Sequence, residues 1–113
     1  MDFKHSAVTI VPAVDLDESQ AFYERLGFAL ASRYEAEGYR ILADAKGASV
    51  HLTHVDREWV DPSTTAYGIY FYSEDVEALA AEFGQRADPK PWGLREFAVG
   101  DPSGTLVRIG WPL

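Results

Sequence analysis

The chain has 113 residues, 47% of them hydrophobic and 25% charged, a composition that fits one folded domain and argues against general disorder. It has no cysteine, which excludes disulfides, thiolate nucleophiles and cysteine-ligated zinc or iron–sulfur sites. Ten basic against 18 acidic residues give a net charge of −8, a field that repels a phosphate backbone, so nucleic acid is not an expected partner, and that favours the approach of a cationic ligand.

Ala7-Val8-Thr9-Ile10-Val11 is a β-branched run that predicts a first strand within residues 4–13, and Pro12 marks the end of its pairing or a sheet edge. Asp15 or Asp17 caps a helix, and Glu18 suits its positive N-terminus. Ala21, Phe22, Tyr23 and Leu26 then fall at helical spacing before Gly27, so the helix spans about 17–26. Three short strands follow over 28–34, 38–43 and 48–55, the last two joined as a hairpin by Asp44-Ala45-Lys46-Gly47. Residues 56–65 form a polar linker in which only Trp59 calls for burial.

The same plan then returns. Residues 66–72 are an aromatic strand, and Ser73-Glu74-Asp75 caps a second helix through Val76, Leu79, Ala80 and Phe83. Residues 85–91 are loop-like, and the last two strands, 94–99 and 105–111, are joined by Asp101-Pro102-Ser103-Gly104, with proline and glycine placed as a type I turn wants them. The two Asp-x-x-Gly turns can be laid on one another; beyond them Val50 falls on Val107, His51 on Arg108 and Leu52 on Ile109. An internal repeat of one supersecondary unit predicts a single domain, 1–113, of two modules at about 1–56 and 66–113. The spacing leaves the second module one strand short between its helix and Trp92.

Val14-Asp15-Leu16-Asp17-Glu18-Ser19-Gln20-Ala21-Phe22-Tyr23-Glu24-Arg25-Leu26-Gly27-Phe28 resembles the signature of the vicinal oxygen chelate superfamily, the glyoxalase, extradiol dioxygenase and bleomycin-resistance group. Pro91-Trp92-Gly93-Leu94-Arg95-Glu96-Phe97-Ala98-Val99 with the following Asp101-Pro102-Ser103-Gly104 resembles its bleomycin-resistance branch. The resemblance implies an α+β fold of two paired βαβββ modules whose curled mixed sheets surround a cleft, and it implies a homodimer.

Enzymes of that superfamily hold a divalent metal with His, Gln or Glu on the first and last strands of each module. The matching positions here are Val8, His51, Gly68 and Arg108, of which only His51 can donate to a metal. His5 and His54 stand at odd offsets from these positions and so on the opposite strand face. Neither a metal nor another cofactor is expected, and no residue is assigned a catalytic role.

Strand alternation groups Ser49 and Thr53 with His51, Leu106 and Gly110 with Arg108, and Tyr70 and Tyr72 with Gly68 on the cleft face. Val50, Leu52, Val107, Ile109, Ile69 and Phe71 then pack beneath the helices. Likeness to the bleomycin-resistance branch implies a flat heteroaromatic group stacked between aromatic side chains. Trp92 inherits that role most directly, with Tyr39, Tyr70, His51 and Arg108 completing the expected ligand-binding set. The expected function is non-catalytic sequestration of a small aromatic antibiotic of the bleomycin type, cationic ones included, in a dimer cleft. The alternative is an enzyme of the same superfamily, a lyase or oxidoreductase with an altered or absent metal site, in which His51 and Arg108 hold an anionic substrate. No apolar stretch nears the ~20 residues of a membrane span, and Met1 to Ser6 lacks the apolar run of a signal peptide, so a cytoplasmic protein without membrane contact is expected.

Overall fold

The computed structural model describes residues 5–113. The first module runs β1 (Thr9–Ala13), α1 (Leu16–Glu24), β2 (Ala29–Tyr34), β3 (Tyr39–Ala43) and β4 (Ser49–His54). The second runs β5 (Gly68–Tyr72), α2 (Val76–Glu82), β6 (Asp88–Pro89), β7 (Leu94–Gly100) and β8 (Leu106–Pro112). Each module makes one four-stranded mixed sheet, ordered β1-β4-β3-β2 and β5-β8-β7-β6. In both, the first strand lies parallel to the last and the other pairs are antiparallel. This is the expected α+β arrangement of two βαβββ modules, and the two sheets do not close on one another.

Local chemistry explains most of the boundaries. Asp15 is the N-cap of α1, its Oδ1 accepting the Glu18 N–H at 3.0 Å. Asp17 sits inside the first turn instead and pairs with Arg40 at 2.8 Å. Pro12 lies in β1, an edge strand, where a missing N–H need not break the sheet. The two repeated turns are built alike. Asp44 Oδ1 accepts the N–H groups of Lys46 and Ala48 at 2.8 and 2.9 Å; Asp101 Oδ1 accepts those of Ser103 and Thr105 at 2.9 and 3.0 Å. Gly104 has φ +93°, and a Cβ there would stand 2.7 Å from Pro62, so both conformation and space call for glycine.

Two expectations need correction. The second module is not short of a strand: β6 supplies it as a two-residue stub, Asp88 pairing with Glu96 and Pro89 with Arg95. Pro89 and Pro91 lack the N–H groups a longer ladder would use, which hides the stub from a reading by pattern. Trp59 is not buried; it is 76% exposed on a 3-10 turn, Arg57–Trp59. The linker folds on itself, Thr64 and Thr65 bonding back to the Asp61 carbonyl, and offers no apolar surface that would cover the indole.

One core joins the modules. The rings of Phe28 and Phe71 meet edge-on at 5.3 Å, and Phe22 lies 5.6 Å from Phe83. At its centre Tyr23, fully buried on α1, donates its hydroxyl to Asp101 Oδ2 at 2.7 Å. Beside it the Val14 N–H donates to Ser103 Oγ at 2.9 Å. Burial pushes the Asp101 carboxyl above the usual range, while hydrogen bonds from Tyr23 and from the turn's own amides pull it back. The same burial drives the Tyr23 phenol far up, so it is always the donor. The faces of the sheets turned away from this core stay open, in a molecule of 43 × 39 × 23 Å. Its radius of gyration of 14.3 Å exceeds the roughly 13 Å of a compact chain of this length. No helix among the described residues is long and apolar enough to cross a membrane.

Tyr23→Phe keeps the ring packing but strands one oxygen of a buried carboxylate. It should cost about 1.5–3 kcal/mol of folding stability. Urea unfolding at neutral pH measures this; a midpoint equal to that of the unaltered chain refutes the role given to the bond.

Candidate functional site

The open face of the second sheet carries a concentrated set of polar and aromatic groups. Parallel pairing sets Tyr70 on β5 beside Arg108 on β8, and antiparallel pairing sets Glu96 on β7 beside Gly110 on β8. Trp92 lies just before β7, followed by Gly93, whose φ of +83° turns the chain into the strand. The indole is 60% exposed, and its Nε1–H donates to Glu96 Oε1 at 3.2 Å. Glu96 itself is only 5% exposed. Its other oxygen, Oε2, faces Arg108 Nε at 3.7 Å in an ion pair.

Gly110 makes this cluster possible. A Cβ at that position would stand 2.1 Å from the Tyr70 hydroxyl oxygen, so the absent side chain lets the phenol lean over β8 toward Glu96. Burial first, and then the Glu96 carboxylate, push the Tyr70 phenol up to about 12, which keeps it a neutral donor at ordinary pH. Tyr70, Trp92, Glu96 and Arg108, with Arg86 and Lys90, line an open cavity of about 590 Å³. That falls within the roughly 300–1,000 Å³ usual for small-molecule sites. Three cationic side chains line it against two carboxylates, Asp88 and Glu96, in a chain whose net charge is −8.

Of the five residues expected to bind ligand, the structure brings three together here: Trp92, Tyr70 and Arg108. Tyr39 and His51 are elsewhere, on β3 and β4 of the first sheet. The Tyr39 hydroxyl and His51 Nδ1 hydrogen-bond at 2.8 Å, with the rings edge to face at 5.4 Å. Within one chain neither lines the cavity. The expected face assignment is otherwise correct: Val50, Leu52, Val107 and Ile109 are buried while Tyr70, Tyr72 and Arg108 are exposed. Glu96 is the functional candidate that sequence reading left out of the binding set. Its signal was its register opposite Gly110, a position already placed on the cleft face.

The metal of the superfamily's enzymes does not fit these residues. A side chain at Gly68 would meet the Leu106 carbonyl oxygen at 2.6 Å, so that position has no room for a donor. Arg108 occupies another, and the one imidazole, His51, already shares Nδ1 with Tyr39. Among the described residues no group of three His, Asp or Glu side chains is placed to hold a metal ion.

Paired modules, sheet order and the position of this cavity define a class. The chain belongs to the Glyoxalase/Bleomycin resistance protein/Dioxygenase superfamily, whose sequence model matches residues 5–109. Among solved structures, it is similar to a bleomycin-binding protein complexed with bleomycin, at 22% identity and a TM-score of 0.80, covering 97% of this chain and all of that one. It is similar to a bleomycin resistance determinant encoded on the transposon Tn5, at 23% identity and a TM-score of 0.81, covering 96% and 98%. It is also similar to TnmS3, an antibiotic binding protein from Streptomyces sp. CB03234, at 30% identity and a TM-score of 0.69, covering 100% and 99%. No curated protein sequence matches the chain significantly.

Glu96→Gln removes the charge beside Tyr70 and leaves an oxygen for the Trp92 indole. The Tyr70 phenol should then titrate lower, toward the ordinary tyrosine value of about 10. NMR titration of the tyrosine ring carbons reads this directly, and an unmoved Tyr70 would show that the carboxylate does not act on it.

Proposed function

We propose that this chain is a non-catalytic binding protein that sequesters a flat aromatic small molecule, of the kind found among antibiotics, on the open face of its second sheet. The observation that carries the reading is Trp92. A large indole is held largely in solvent at a cavity mouth, its N–H tied to a buried carboxylate. A tethered ring with an open face offers a stacking surface at little entropic cost. Tyr70 supplies a second aromatic wall. The names of the bleomycin-binding and antibiotic binding neighbours agree with such a role. Because three cationic heads line the cavity, we confine the proposed ligand to its aromatic part and leave the expected cationic character aside.

We also propose that two copies associate. Trp59, Tyr67, Tyr72 and Trp111 remain exposed on a chain of this size, alongside the open sheet faces. A second copy laid across the cavity would bring the Tyr39–His51 pair of its first sheet toward Trp92 and complete the five-residue set. The absence of a fitting metal set supports binding over the metal-dependent chemistry of the superfamily's enzymes.

Trp92→Ala should weaken binding of bleomycin or 2-naphthalenemethanol by ~1–3 kcal/mol, roughly 5- to 150-fold, with the fold intact. Fluorescence titration of the intact and altered proteins checks this. Binding that ignores the substitution rejects the stacking role. Light scattering at micromolar concentration should return twice the chain mass of 12.6 kDa; a value at the single-chain mass rejects the pair.

A further inference from the structure

We infer that the aromatic ligand of the cavity also carries an oxyanion, a carboxylate or sulfonate, which Arg108 grips with help from Arg86 and Lys90. This rests on the reading of the cavity as a binding site and adds the ligand's charge to it.

Most of the chain's described cations are held by its own carboxylates. Arg25, Arg33, Arg40, Lys46 and Arg95 all pair with carboxylates of their own chain. With 18 acidic residues available, such pairing is the default state. Among the described residues three cationic side chains have no ion-pair or hydrogen-bond partner: Arg57, exposed on the linker, and Arg86 and Lys90, which line the same cavity. Arg108 comes close to joining them. Its guanidinium makes no hydrogen bond, and its ion pair with Glu96 is the loose 3.7 Å contact through Nε. The two Nη groups, the prongs that grip a planar oxyanion, are left unused on a half-exposed side chain.

The carboxylates on the same wall do not cancel this. Glu96 is buried and already engaged by the Trp92 indole and by Arg108. Asp88 is the one other carboxylate that lines the cavity with Arg86 and Lys90. The local field is therefore positive inside a protein whose overall field is negative. Such a reversal has no use for a cationic ligand; it suits an anion whose ring lies on Trp92 and whose charge reaches Arg108. The −8 of the whole chain slows the arrival of an anion, so the selectivity belongs in the bound state.

The test uses three probes with one ring system: naphthalene-2-sulfonate, 2-naphthalenemethanol and 2-naphthylmethylammonium. Tryptophan fluorescence of the intact protein should give the sulfonate an affinity about tenfold or more above the other two. Arg108→Gln should erase most of that preference, and Arg86→Gln should reduce it in part. Arg57→Gln, a change to an exposed arginine on the linker, should alter nothing. Equal affinity for the three probes, or tightest binding of the ammonium, with all three weakened by Trp92→Ala, overturns the oxyanion and leaves the aromatic site standing. Binding of none of them up to millimolar concentration overturns both.

Discussion

Tyr23 and Asp101 hold the two halves of this protein in register. The carboxylate has two oxygens with separate duties. One closes the turn between β7 and β8 through two backbone amides, and the other receives the phenol from α1 of the first module. The repeat makes the point sharper, because Asp44 closes the equivalent turn in the first module in the same way. A turn aspartate that would otherwise face water is instead carried into the core, where only a committed donor makes its burial tolerable. Once this bond and the neighbouring Val14–Ser103 contact are made, the helices and inner strand faces share one core. The other faces of both sheets are then left to solvent.

The cavity repeats the logic with a second buried carboxylate. Glu96 is shielded from water but faced by an indole N–H, a phenol and a guanidinium. A lone buried charge would be costly; surrounded in this way it acts as a hub that sets the directions of three side chains. Gly110 contributes by having no side chain, which gives the Tyr70 hydroxyl its place. The site therefore depends less on the exposed ring than on the hidden acid that holds it. Site and scaffold are also coupled, since Glu96 and Asp101 lie on β7 and the turn it leads into.

The positions matched to the superfamily's metal site do not fit a metal. Gly68 has its neighbour's carbonyl where a ligand side chain would start, and Arg108 brings a cation to the place where a cation would bind. The space that a metal would organise is organised here by an ion pair and hydrogen bonds.

Much of this was determined by the sequence alone. Strand alternation separated core from open face, as Val107 and Ile109 against Arg108 show, because side chains of a strand alternate whatever surrounds them. The aspartate-led turns and the Asp15 cap were legible because their chemistry is local. The motif around Trp92 lies at the cavity of the second sheet. What spans the modules was decided only in three dimensions. Periodicity does not say that Tyr23 reaches Asp101, or that the two-residue β6, which ends in Pro89, pairs at all. Nor does it say that Trp59 finds no cover, or that Tyr39 and His51 lie on the other sheet, outside the cavity that Trp92 lines. Composition gave a net negative charge, yet the cavity wall is positive, because net charge is a sum over the whole chain and a site is only the few residues that folding brings together.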